Sequence, residues 1–196
     1  MSGQSNVDFR HAFILLLIWS SAAIADDDDI YNEVTIRPSD IPRDAPRFED
    51  FPADLYTGKN AKLIVDSDPA TTAFRTRIKK WSKEKPNFAG HFILATWGCG
   101  SDCTQLTIID AVTGIVFHPA QASSNVAANV DRVLLEGGDV GHNFGALKFS
   151  ADSKLLVLIG MPNEDASRRG ISYYVWNGAR LSLIRFVHKT WYADQK

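Results

Sequence analysis

The two cysteines of the chain, Cys99 and Cys103, lie in ATWGCGSDCTQL, residues 95–106, with three residues between them. Three chemistries use such a pair: a structural disulfide, a redox dithiol, or half of a metal site. A disulfide needs Cα atoms about 4.4–6.8 Å apart, whereas a straight strand would separate these two by roughly 13 Å. GCGSDC must therefore turn back on itself, and Gly98, Gly100, Ser101 and Asp102 are residue types suited to that turn. The redox motif of thioredoxin-like enzymes is C-x-x-C at a helix start, but this spacing is C-x-x-x-C between strand-like runs. A zinc site wants four ligands, and only His91 and His118 stand near enough in sequence to be borrowed. The spacing favours a structural staple that displays Gly100, Ser101 and Asp102, with thiol–disulfide exchange and metal binding as the alternatives.

A second set of residues could carry acid–base chemistry. GGDVGHNFG, residues 137–145, places Asp139 and His142 in a glycine-rich loop where backbone can approach a ligand closely. Asp139 could orient the His142 imidazole as a general base, with Ser101 as a nucleophile. The competing reading is that the glycines only supply positive φ between strands, since no spacing rule links Ser101 to His142. His91, among Phe92, Ile93 and Leu94, reads as a histidine hydrogen-bonded within the fold. PNEDASRRG, residues 162–170, mixes Glu164 and Asp165 with Arg168 and Arg169: a self-compensating hairpin tip, or a recognition loop. The chain contains no G-x-S-x-G, H-E-x-x-H, P-loop or dinucleotide fingerprint. Consecutive acids in DDDD point in different directions and read as a solvated tail rather than a calcium site. No metal and no cofactor is expected.

The elements that must position these residues are mostly strands. AKLIVD (61–66) reads as a strand. Asp68 is an N-cap with Pro69 at the first helical position, and Phe74, Ile78 and Trp81 form an apolar stripe for a helix over 69–84, stopped by Pro86. Arg75, Lys79, Lys80 and Lys83, flanked by Arg77 and Lys85, give that helix a basic face: a solvated surface or a patch for an acidic partner. GHFILATW and QLTIID are strands, and AVTG joins the latter to IVFHP as a hairpin. AQASSNVAANVD is a loop or a marginal helix, and RVLLE (132–136) precedes the glycine-rich loop. ALKFS, KLLVLIG, ISYYVW and RLSLIRFV then form a meander whose last turn is Asn177-Gly178. About nine strands in all are too few for a closed propeller of four blades, which needs sixteen. The fold class predicted is α+β, antiparallel β-meanders packed with one principal amphipathic helix.

Arg10 and His11 precede AFILLLIW, and SSAAIA ends on Ala23-Ile24-Ala25. This is the layout of a secretory signal peptide over residues 1–25, cleaved after Ala25. Residues 12–25 would span only roughly 21 Å as a helix, short of the about 30 Å of a bilayer core, so no stable membrane insertion is expected after cleavage. Residues 26–60, with Pro38, Pro42, Pro46 and Pro52, predict an irregular arm holding at most the short strand EVTIR. Residues 61–196 predict a single domain. A net charge of −2 argues against nucleic acid as a partner, and export to the periplasm or beyond favours an oxidised Cys99–Cys103 pair.

NFAGHFILATWGCGSDCTQLTIIDAVTGIVF (87–117) resembles a group of exported bacterial proteins of uncharacterised function. They share F-A-G-x-[FY], W-G-C-G-x-x-C, I-x-D and T-G, supplied here by Phe88, Ala89, Gly90, Phe92, Trp97, Gly98, Cys99, Gly100, Cys103, Ile109, Asp110, Thr113 and Gly114. The resemblance implies export and no particular reaction. The C-terminal meander separately looks like one β-propeller blade. The sequence points to an exported, non-enzymatic binding protein of inhibitor or immunity type, whose partner is another exported protein. The alternatives are a small cell-envelope hydrolase using His142 and Asp139, and a thiol–disulfide protein at Cys99 and Cys103.

Overall fold

Two apolar strands organise the chain, and both are paired along both edges. The structure, a computed structural model, describes residues 27–65, 68–136 and 146–191, with side chains from residue 31 onward. The glycine-rich loop 137–145, the predicted signal peptide over 1–25 and the C-terminal 192–196 lie outside the described residues. β1 (Phe92–Gly100) and β2 (Cys103–Asp110) form a long hairpin, and the short β3 (Val116–Phe117) returns along the other edge of β2. β5 (Leu147–Phe149), β6 (Leu155–Pro162), β7 (Gly170–Trp176) and β8 (Leu181–His188) form the second meander. β4 (Ser124–Val126) pairs with β2 through Cys103–Gln105 and with β6 through Met161 and Pro162. It thereby joins the two halves in the order β1-β2-β4-β6-β7-β8, antiparallel at every step. The fold is α+β, with eight strands among the described residues.

β4 has no apolar alternation, which is why the sequence reads it as loop. Its central residue, Asn125, is fully buried, and its side-chain amide donates to the Ile159 carbonyl at 3.0 Å. Gly160 makes this approach possible: φ is +138°, and a Cβ there would lie 2.3 Å from the Val126 carbonyl oxygen.

Alternation along β1 and β2 divides the apolar residues between two cores. Phe92, Leu94, Leu106 and Ile108 meet Leu156, Leu158, Tyr174 and Trp176 of the second meander. Ile93, Ala95, Trp97 and Ile109 face the opposite way, onto Ile78, Phe74 and Trp81. These last three are the predicted helical stripe. The helix, however, is two pieces, α2 (Pro69–Ala73) and α3 (Arg75–Trp81), with a turn at Phe74 (φ −107°, ψ 15°). That turn seats the Phe74 ring 5.1 Å from Trp97, so the apolar stripe survives the break.

Two further expectations change. The arm is not merely irregular: Asp27–Val34 is a helix, α1, and the predicted EVTIR strand reduces to one bridge, Ile36 to Val130. The described part of AKLIVD, residues 61–65, is not a strand. It is held by two backbone bonds, Ala61 N–H to Ala111 O and Ile64 N–H to Gly114 O. RVLLE is the helix α4 (Arg132–Glu136).

Candidate functional site

The stapled turn is present. Cys99 and Cys103 are bonded with Cα atoms 5.1 Å apart, and the exposed tip carries Gly100, Ser101 and Asp102. The Asp102 carbonyl accepts from Ala127 N–H at 2.8 Å, tying the tip to the end of β4. Arg77 donates to the Gly98 carbonyl at 3.4 Å and lies 5.8 Å over the Trp97 ring. Ser101 sits at this tip, while Asp139 and His142 fall outside the described residues.

His118 and His91 are engaged within the fold. His118 bonds Thr71 Oγ1 through Nε2 (2.9 Å) and Thr107 Oγ1 through Nδ1 (3.2 Å). Both threonines are buried, so the imidazole is a polar tie between α2 and β2. His91 stacks on Phe92 at 4.1 Å, with Nε2 3.6 Å from an Asp110 oxygen. Among the described residues no group of three His, Cys, Asp or Glu side chains converges to hold a metal.

The motif that carried the resemblance is largely framework. Asp110 accepts from Val112 N–H (2.8 Å), Thr113 N–H (3.3 Å) and Thr113 Oγ1 (2.7 Å), closing the β2–β3 turn. Gly114 ends that turn at φ +81°, and a Cβ there would meet the Lys62 carbonyl oxygen at 2.1 Å. Ala89 and Gly90 donate their N–H groups to Ser153 and Ala151, fastening β1 to the β5–β6 turn.

The loop after β6 is likewise occupied with its own fold. Asp165 caps the 3₁₀ turn Ala166–Arg168, and the Ser167 hydroxyl bonded to it holds its carboxyl below the usual value. Arg168 donates to Gln121 O (3.1 Å) and Pro162 O (2.9 Å). Arg169 is fully buried, with guanidinium bonds to the carbonyls of Thr190, Ala128 and Asn129 at 2.8–3.2 Å, and stacks on Trp191. Of the predicted recognition set, Glu164, Asp165, Arg168 and Arg169, only Glu164 is exposed without a described side-chain bond. The two arginines fasten the chain to itself.

A second group of charges fixes the arm. Arg185 bonds the Asp44 carboxylate (2.9 Å) and carbonyl (2.8 Å), and Lys189 bonds Asp40 at 3.1 Å. The Arg185 bond holds the Asp44 carboxyl below its usual 3.8. Lys148, Val157, Tyr173 and Arg185 form one row across β5–β8. Burial lowers the Lys148 amine and raises the Tyr173 phenol.

A concavity on the described surface has a different character. A cleft of about 970 Å³ runs between residues 55–65 on one side and α3 with its continuation to Pro86 on the other. Lys59, Lys62, Arg75, Lys79, Lys83 and Lys85 line it, against the single carboxylate of Glu84. None of the six cations forms an ion pair among the described residues. Leu55, Leu63, Val65 and Pro86 add apolar surface, and Leu55 is 61 % exposed. The walls are fastened at one end: Asn60 Nδ2 donates to Ser82 O (2.9 Å) and Glu84 O (2.8 Å). Tyr56 closes the base, its hydroxyl on Lys59 O and its N–H on Gly90 O. Sequence reasoning found the helical wall as a basic face and missed the opposite wall. The signal available was KLIV, a strand-prone run that begins at Lys62 with Lys59 three residues before it.

Crowding like charges without counterions costs free energy. The chain as a whole is acidic by two charges, so this clustering is not a consequence of composition. Such a concavity attracts an anion and focuses its approach. Comparison of the chain with family models, with curated proteins and with solved structures gives no match.

Proposed function

We propose that this is an exported, non-enzymatic binding protein of inhibitor or immunity type, which receives an acidic partner protein in the cleft between residues 55–65 and α3. The observation that carries the reading is the set of six cations around one concavity with no ion-pair partner among the described residues. Signal-peptide cleavage after Ala25 delivers the chain to an oxidising compartment. The formed Cys99–Cys103 bridge supports export. So does the finding that no described helix is long and apolar enough to cross a membrane.

The direct test is titration of the oxidised protein with poly-L-glutamate, with poly-L-lysine as control. The expected result is saturable binding of poly-L-glutamate alone, weakened about ten-fold between low and physiological salt as screening sets in. Absence of binding at low salt, or equal binding of both polymers, would refute the assignment.

A further inference from the structure

We infer that the occupant of the cleft is an extended acidic peptide segment that adds as a strand along residues 61–65. This deepens the proposed function and rests on it. Three observations converge.

The first is an unused edge. Residues 61–65 have strand-forming composition, yet the sheet does not take them in. Ala61 N–H and Ile64 N–H both bond the β2–β3 turn, on Ala111 O and Gly114 O at 2.8 Å, whereas the N–H groups of Leu63 and Val65 have no hydrogen-bond partner among the described residues. Both residues line the cleft. An exposed row of donors and acceptors is a template for another chain.

The second is spacing. Arg75 and Lys79 line the facing wall four residues apart on α3, about 6 Å along the helix axis, and Lys83 follows in the turn beyond Trp81. Alternate side chains of an extended peptide repeat at about 7 Å. Carboxylates on every second residue can meet these cations in turn.

The third is the mixture of surfaces. Leu55, Leu63, Val65 and Pro86 offer apolar contact to the residues between the carboxylates. Val65 is 41 % exposed and its neighbour Ile64 is 50 % exposed, and strand addition would cover such surface. A ligand that used charge alone would leave it in water.

The test compares three probes on the full exported protein by fluorescence anisotropy. One is a blocked octapeptide of alternating glutamate and valine. The second is the same peptide N-methylated at each valine, which keeps the charge and removes alternate donors. The third is a vesicle of anionic phospholipid. The unmodified peptide should bind at least ten-fold more tightly than its N-methylated analogue and should slow amide exchange at Leu63 and Val65 by ten-fold or more. Lys79→Ala together with Lys83→Ala should weaken the unmodified peptide and leave the melting temperature in place. Equal affinity of the two peptides would overturn strand addition while leaving an acidic partner standing. Failure of both peptides and of poly-L-glutamate would remove the binding assignment itself. Binding to the vesicle without binding to either peptide would replace the peptide by a membrane surface.

Discussion

Cations are used in opposite ways on two sides of this molecule. Around the C-terminal meander, Arg168, Arg169, Arg185 and Lys189 all bond carbonyl or carboxylate oxygens of the chain itself. Around the cleft, Lys59, Lys62, Arg75, Lys79, Lys83 and Lys85 bond no carboxylate among the described residues. The first group joins segments that are distant in sequence: Arg169 bridges 128–129 to 190, and Arg185 and Lys189 hold the arm. The second group is concentrated on two walls that are already fastened by Asn60 and Tyr56. Folding accounts for the first set of charges; the second set has no such role among the described residues, and the proposed acidic partner would give it one.

The contrast can be broken by substitution. Arg169→Ala should have the largest effect, a loss of about 3 kcal/mol or more, because it orphans buried carbonyls and leaves a cavity. A urea midpoint shift without a change in slope would register it. Replacing Cys99 and Cys103 by serine should cost about 2 kcal/mol, the loop entropy of so short a ring. Because the disulfide tip is not part of the cleft, affinity for poly-L-glutamate should survive that change. Lys79→Ala with Lys83→Ala should move stability by less than about 0.5 kcal/mol, as exposed sites do, while weakening the acidic probe about ten-fold. The smallest effect concerns pH. The Asp44 carboxyl, held below 3.8 by Arg185, contributes stability that is present above the unfolded value. That contribution is lost as pH falls through the lower, folded value. Asp44→Asn should therefore flatten the stability curve below about pH 4, and leave the cleft unaffected at every pH.

The meanders were legible because a short continuous apolar run is a local signal: FILATW and KLLVLIG read as strands buried on both faces. The helix was legible through Phe74, Ile78 and Trp81, but its break was not, because it depends on the place Trp97 offers Phe74. β4 was illegible because Asn125 is buried by a side-chain bond to Ile159 that forms only in the folded chain. Half of the cleft was visible as a basic helix face. The rest was hidden because the pairing of residues 61–65 depends on a turn about fifty residues later. Arg168 and Arg169 misled for the same reason: an arginine that bonds carbonyls 20 to 47 residues away looks in sequence like one that faces solvent.

Amine acetylation read by mass spectrometry tests the central contrast most directly, because it measures each lysine by name. With a limiting acylating reagent, Lys59, Lys62, Lys79, Lys83 and Lys85 should react rapidly, and Lys189, paired with Asp40, slowly. Saturating poly-L-glutamate should then protect the five cleft lysines at least ten-fold and leave Lys189 unchanged. Uniform reactivity, or protection by the polymer that spares the cleft, would contradict the account.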